Sequence, residues 1–180
     1  ILKLAKLTCA AAVATSATVA ALPASAKEEI KVGIVTFLSG PAAGPFGVPG
    51  QQGAELVIEA INAGELPEPY NTPGFAGATL SPIFVDEAGG NTKQVAEYRN
   101  RVQKQGVDTV IGYISSGSCL SVAPVAEELK TLTIIPVCGS PRLFEDGGKD
   151  YVFRTTGHAV GDGVAAALYV RDMLGGDKPY

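Results

Sequence analysis

The 180-residue chain has few side chains suited to metal or nucleophilic chemistry. It contains one histidine, His158, and three cysteines. A structural zinc site needs about four Cys, His or carboxylate ligands in one shell, and the sequence offers no such cluster. Gly117-Ser118-Cys119 lacks the second glycine of a nucleophile elbow, and a serine hydrolase also needs an imidazole base beside its nucleophile. We therefore predict no metal, no cofactor and no enzyme activity.

Signals for phosphate and nucleic-acid binding are also lacking. Gly161-Asp162-Gly163 lacks the third glycine of a dinucleotide fingerprint, and no Gly-x-x-x-x-Gly-Lys loop occurs. The chain has 14 basic and 18 acidic residues. Lys3 and Lys6 are the only charged residues before residue 27, so the remainder has 12 basic and 18 acidic residues, a net charge of −6. Without a basic stripe, nucleic acid is excluded as a partner, and small molecules or proteins remain.

Residues 1–26 are organised like a secretory signal peptide. Lys3 and Lys6 precede an Ala-, Val- and Thr-rich stretch, residues 7–22, which closes on Pro23-Ala24-Ser25-Ala26. The alternative is a membrane anchor, but a lasting span needs roughly 20 strongly apolar residues. We therefore predict cleavage after Ala26, a periplasmic location, and no membrane span after signal removal.

Two cysteines, Cys119 and Cys138, follow the predicted cleavage point. An even number of cysteines in an oxidising compartment favours a disulfide. Free cysteines also pack well as small buried apolar residues. Both interpretations stay open from the sequence.

Short β-branched apolar segments alternate with segments of helical periodicity after residue 26. Strands are predicted at residues 30–37, 79–85, 107–114, 133–137 and 151–155. Helices are predicted at about 50–64, from Asn91 or Thr92 past 102, at 122–132 with Pro124 in the first turn, and at about 160–174. This alternation predicts an α/β fold with a parallel, doubly wound sheet.

Three loops rich in Ser and Gly directly follow predicted strands. They are residues 39–49, 115–118 and 138–140. In open parallel sheets, ligands bind beyond the carboxyl ends of the strands, where helix amino ends present N–H groups. A substrate carboxylate suits these loops better than a phosphate. The alternative is that their Ser and Gly residues only cap helices and form turns.

Two neighbouring acidic residues, Asp86 and Glu87, end the second predicted strand. Adjacent residues of a strand face opposite sides of the sheet. Paired acid–base chemistry is therefore excluded for them, and we predict a solvated strand end.

The order and spacing of these motifs resemble the branched-chain amino-acid-type solute-binding proteins of ABC importers. The motifs, spread over residues 30–175, are Ile30-Lys31-Val32-Gly33-Ile34, Ser39-Gly40-Pro41, Phe46-Gly47, Gly53-Ala54, Ile61-Asn62, Asp86, Val110-Ile111-Gly112, Ser115-Ser116, Pro136 and Pro141. The resemblance implies two α/β lobes that close over a small solute and deliver it to an ABC permease in the inner membrane. It also implies that residues 27–180 are the N-terminal lobe of a type I periplasmic-binding fold, in a protein that is monomeric at full length. The chain begins at Ile1 and stops in loop-like sequence, so we expect a truncated piece with its second lobe missing.

The resemblance further implies the ligand contacts. In the family, the loops after the third and fourth strands hold the ligand carboxylate through hydroxyls and backbone N–H groups. Here these residues are Ser115 and Ser116, then Cys138, Gly139 and Ser140. Phe46 matches an aromatic residue that covers the ligand. The chain departs from the family at Gly139, where many relatives carry Ser or Thr, so either Ser140 supplies the hydroxyl or it is absent. A disulfide between Cys119 and Cys138 would link the two binding loops.

Three functions follow in order of preference. The first is an extracytoplasmic transport protein that captures a branched-chain or other amino acid, or an aromatic acid; residues 119–130 resemble members that take aromatic carboxylates. The second is a sensor or receptor ligand domain of the same fold. An exported enzyme comes third, because no catalytic group is evident.

Overall fold

Five parallel strands form one sheet in the computed structural model, which describes residues 27–175. The strands are β1 Glu29–Thr36, β2 Thr79–Asp86, β3 Thr109–Gly112, β4 Leu132–Ile135 and β5 Val152–Arg154. They pair in the order β2-β1-β3-β4-β5, and every pairing is parallel. The predicted α/β fold with a parallel sheet is therefore confirmed. The predicted signal peptide lies outside the described residues and stays a prediction.

Helices connect the strands. They are α1 Val48–Ala63, α2 Asn91–Gln105, α3 Ser116–Leu129, α4 Arg142–Glu145 and α5 Ala159–Met173. A π-helical turn, Ala43–Gly47, leads directly into α1. No helix among residues 27–175 is both long and apolar enough to cross a membrane.

Helix α3 begins six residues earlier than predicted, so two predictions about it are wrong. The segment expected to be a loop, residues 115–118, is helical from Ser116 onward, and Pro124 lies inside the helix instead of in its first turn. Proline lacks the N–H of an interior helical position, which normally favours a place in the first turn. Here the extensive burial of α3 outweighs that cost, because six of its residues are buried: Ser118, Cys119, Val122, Ala123, Val125 and Ala126.

The strand order places helices on both faces of the sheet. The chain moves from β1 to β2 in one direction and then from β2 past β1 to β3 in the other. Because crossover connections are right-handed, reversing the direction moves the connecting helix to the opposite face. Accordingly, α1 packs on β1 and β2, whereas α2 packs against α3. The sheet is therefore doubly wound, with its switch point between β1 and β3.

Each face of the sheet has its own apolar core. The larger core lies under α2 and α3 and includes the fully buried Tyr98, Val122 and Ile135. The smaller core lies under α1, where Ile58 packs with Val32 and Ile34. Burying one such aliphatic side chain contributes about 1.5–3 kcal/mol. The two cores hold the strand ends, and therefore the loops that follow them, in fixed positions.

Helix α5 differs from the others because all its residues are exposed. It carries Val160, Val164 and Leu168 at a spacing of four residues, which forms an apolar stripe on one side. No element in residues 27–175 covers this stripe. Surfaces of this kind are usually covered by further protein.

A hydrogen bond between two buried hydroxyls links α2 to the sheet. Tyr98 Oη and Thr133 Oγ1 lie 2.7 Å apart, and both side chains are buried.

We expect Tyr98→Phe in the full-length protein to lower the free energy of unfolding by about 1–2 kcal/mol, because it removes this bond from a dry site. Tyr70→Phe is the matched control, since Tyr70 is 70% exposed, and should change stability by less than about 0.5 kcal/mol. Urea denaturation measures both, and equal effects would contradict the importance of the buried bond.

Candidate functional site

The carboxyl ends of β1 and β3 meet at the switch point of the sheet, and that of β4 lies next to β3. In open α/β sheets this is where ligands bind. The chain leaves β3 abruptly, because Gly112 and Tyr113 both have positive φ angles, 153° and 69°. A Cβ atom at position 112 would overlap the carbonyl oxygen of Val35, so only glycine fits there. Tyr113 N–H donates to that same oxygen at 3.2 Å, which ties the end of β3 to β1.

The loop after β3 opens directly into α3. Ser115 occupies the N-cap position in an extended conformation, and its carbonyl accepts the N–H of Cys119 at 3.0 Å. The Ser115 side chain makes no capping hydrogen bond, and no acidic residue lies in the first turn. First-turn N–H groups have no acceptor within their own helix. The N–H groups of Ser116 and Gly117 therefore lie at the positive end of the helix dipole without an acceptor in their own helix, which is an arrangement that favours anions.

Glu87 lies beneath this loop, and the expectation of a solvated strand end is wrong for it. Its side chain is 2% exposed. Oε2 accepts the N–H of Ile114 and Oε1 that of Ser115, both at 2.8 Å. After β2 ends, the backbone at Glu87 stays paired with β1, because Glu87 N–H donates to Thr36 O at 2.8 Å. This pairing directs the Glu87 side chain inward. Burial raises the pKa of Glu87, while the two N–H bonds and the Ser118 hydroxyl act against that rise.

Asp86 points the other way and orders the loop after β1. Its carboxylate accepts the N–H groups of Leu38 and Ala88, each at 3.0 Å, and the hydroxyl of Ser39. Burial alone would raise the pKa of Asp86, but these hydrogen bonds outweigh it and hold the pKa below its ordinary value. The two neighbouring carboxylates therefore anchor two different loops of the same sheet edge.

The loop after β4 is linked to α3 by a disulfide. The structure joins Cys119 and Cys138, whose Cα atoms are 6.3 Å apart and whose side chains are fully buried. The Gly139 carbonyl accepts the N–H of Ala159 at 2.9 Å. Arg154 Nη1 donates to the carbonyl of Ser140 at 2.8 Å. These contacts hold the loop at the start of α5.

Phe46 belongs to the π-helical turn and is 56% exposed. It lines an apolar groove of about 500 Å³ that also contains Ile114, Pro136 and Val137. Ile114 and Val137 line the groove, whereas the residues that follow them, Ser115 and Cys138, do not. Phe46 and the starts of the two predicted ligand loops therefore share one side of the switch point.

The predicted site residues thus fall into two groups. Phe46 lies in the groove, whereas the others lie beyond it: Ser115, Cys138, Gly139 and Ser140 on the loops, and Ser116 as the first residue of α3. Two anchoring residues, Glu87 and Arg154, were not predicted from the sequence. Glu87 stood out in the sequence as part of an acidic pair, but no pattern indicated that it is buried beneath a loop of another strand. No group of three metal-ligating side chains occurs within residues 27–175.

An α/β lobe with helix amino ends gathered at its switch point is a framework for binding small anionic ligands. Over residues 29–180, the chain matches a family model described as periplasmic binding protein. The chain belongs to this family.

The curated relatives are binding proteins. The chain is 34% identical over 147 residues to the Leu/Ile/Val/Thr-binding protein of Salmonella typhimurium. The match covers 82% of this chain and 37% of the relative. The chain thus spans little more than a third of the length of that relative.

Solved structures share the fold. A branched-chain amino acid transporter substrate binding protein from Streptococcus pneumoniae, in complex with isoleucine, is 25% identical with a TM-score of 0.61, covering 72% of this chain and 34% of its own. A solute binding protein of an ABC transporter from Rhodopseudomonas palustris HaA2, in complex with p-hydroxybenzoic acid, is 26% identical with a TM-score of 0.64. That match covers 82% of this chain and 36% of the other. Both similarities support the family assignment.

The bridge between Cys119 and Cys138 can be tested directly. We expect peptide mapping of the non-reduced full-length protein to find one linked peptide pair containing both cysteines. Replacing both with Ser should lower the free energy of unfolding by about 3 kcal/mol, because the bridge closes a loop of 19 residues. Alkylation of both thiols in the unreduced protein would show instead that they are free.

The position of Phe46 depends on a close backbone approach at Gly47. A Cβ atom there would overlap the carbonyl oxygen of Phe37, whereas one at Gly44, in the same turn, would meet nothing within 4 Å. We expect Gly47→Ala to lower the free energy of unfolding by at least about 2 kcal/mol. The matched control Gly44→Ala should stay within about 0.5 kcal/mol of the wild type. Urea denaturation decides, and equal effects of the two variants would be evidence against the close approach.

Proposed function

We propose that the chain is the N-terminal lobe of an extracytoplasmic solute-binding component of an ABC transporter. Residues 1–26 direct export to the periplasm, and residues 27–180 form the lobe. The complete protein adds a second lobe and delivers its solute to a permease in the inner membrane. One observation carries this proposal: a helix amino end without a capping side chain, at Ser115 and Ser116, lies at the switch point of a lobe from the periplasmic binding protein family.

The chemistry of this helix end favours a carboxylate. The N–H groups of Ser116 and Gly117 can each donate to a carboxylate oxygen, and Ser116 adds an exposed hydroxyl. Hydrogen bonds to an ionised acceptor are about twice as strong as those between neutral groups. The helix dipole adds about 0.3–1 kcal/mol for a negative charge at an exposed end. Two N–H donors and one hydroxyl suit the two oxygens of one carboxylate.

The groove beside the loops favours a solute with an apolar part. Phe46, Ile114 and Val137 offer aliphatic and aromatic surface next to the helix end. A branched side chain or a benzene ring would bury apolar area there, at about 25 cal/mol per Å². The ligands of two similar structures, isoleucine and p-hydroxybenzoic acid, both combine a carboxylate with such a group. We therefore propose a branched-chain amino acid, another amino acid or an aromatic acid as the solute.

Binding without chemistry fits these residues better than catalysis. The carboxylates of Asp86 and Glu87 are both engaged by backbone N–H groups, which leaves neither free as a general base for a solute. The Salmonella typhimurium relative and the two similar structures carry the names of binding proteins. We propose that the protein holds its solute and releases it unchanged.

Calorimetric titration of the full-length mature protein tests the proposal. We expect micromolar or tighter binding of either branched-chain amino acids or benzoate-type acids. Ser116→Ala should weaken that binding by roughly tenfold, since one hydrogen bond to a charged group is lost. Ser121→Ala is the matched control in the same helix, because its hydroxyl already donates to Gly117 O at 2.8 Å. No binding across both solute classes would contradict the proposed function, and equal effects of both variants would contradict the carboxylate site.

A further inference from the structure

The buried carboxylate of Glu87 accepts hydrogen bonds from one loop with both of its oxygens. Its two backbone hydrogen bonds come from consecutive N–H groups, those of Ile114 and Ser115. These are the last residues before α3, which begins at Ser116. The carboxylate therefore fixes the residue whose backbone conformation sets the start of the helix.

The support of Glu87 is itself rigid. Gln94, on α2, is fully buried and donates from Nε2 to the Glu87 carbonyl at 2.8 Å and to the Asp86 carbonyl at 3.2 Å. Glu87 N–H is held by Thr36 O. The backbone of Glu87 is thus fixed from α2 and from β1, so its side chain can hold the loop in one place.

We propose that Glu87 is a positioning residue for the ligand carboxylate. This inference rests on the proposed function. By accepting the N–H of Ser115, Glu87 keeps that residue extended and turns the following N–H groups, those of Ser116 and Gly117, toward the solute. A site that holds its donors in place before binding loses less conformational freedom when the solute arrives.

A neutral side chain of the same shape cannot replace this carboxylate. In Glu87→Gln, the amide oxygen accepts only one of the two N–H groups, and the amide NH₂ faces the other donor. One loop N–H then loses its partner in a buried site. The loop should relax, and the donors of Ser116 and Gly117 should lose their alignment.

Glu127 provides a matched control of the same chemistry. Its Oε1 accepts the N–H of Tyr151 at 2.9 Å, and its Oε2 accepts that of Asp150 at 3.1 Å. These residues precede β5, so this contact lies at the opposite edge of the sheet from the ligand loops. Glu127→Gln removes the same kind of contact without touching the site.

The first measurement is amide hydrogen exchange in the solute-free full-length protein. We expect exchange at Ile114 and Ser115 to rise at least about tenfold in Glu87→Gln, and to stay unchanged in Glu127→Gln. Should Glu87→Gln fail to fold, Glu87→Asp replaces it, because the shorter side chain keeps the charge but cannot reach both N–H groups. Unchanged exchange at both amides would overturn the inference, whether or not the protein binds a solute.

The second measurement is affinity for two probes, L-leucine and 4-hydroxybenzoate. We expect the dissociation constant for whichever probe the wild type binds to rise at least about tenfold in Glu87→Gln and less than about twofold in Glu127→Gln. Faster exchange with unchanged affinity would reduce Glu87 to a structural residue and overturn the inference. If the wild type binds neither probe, the proposed function fails on these solutes, and amide exchange alone decides whether Glu87 holds the loop.

Discussion

The right-handed crossover is the constraint on which this structure depends. Since the chain moves first to one side of β1 and then to the other, α1 and α3 lie on opposite faces of the sheet. Between the strands where this reversal occurs, the helices diverge and leave a crevice at the carboxyl edge. The π-helical turn carrying Phe46 and the start of α3 at Ser116 both open on this crevice. A strand order in which β1 and β3 were not neighbours would separate them.

Two carboxylates at the end of β2 hold the loops at the switch point in fixed positions. Burying a charge is costly unless hydrogen bonds replace the lost water. The buried Glu87 and the partly buried Asp86 meet that condition with backbone N–H groups, from the loop after β3 for Glu87 and from the loops after β1 and β2 for Asp86. The same bonds that stabilise these carboxylates therefore set the shape of the loops. Stability and preorganisation of the site have one physical origin here.

The sequence predicted the fold better than it predicted the support of the site. Alternating β-branched and helical segments depend on local periodicity, so the strands and the parallel sheet could be predicted. The burial of Glu87 could not, because it results from pairing with β1 and from a loop 27 residues further along the chain. The local rule for Pro124 predicts too late a start for α3, because it takes no account of how deeply that helix is buried. The choice between disulfide and free thiols also needed the distance between Cys119 and Cys138, which only the fold supplies.

The groove and the helix end depend on each other energetically. A carboxylate held at an exposed helix end gains little, because water screens the dipole and competes for the N–H groups. In the proposed complex, an apolar solute group lying on Phe46 and Ile114 would displace water next to Ser116, and the effective dielectric constant around the carboxylate would fall. Each N–H bond then contributes more than it would in open solvent. A solute that carries only a carboxylate, or only an apolar group, gains one contribution without strengthening the other. On the proposed function, selectivity for molecules that combine both would follow from the placement of the groove next to Ser115 and Cys138.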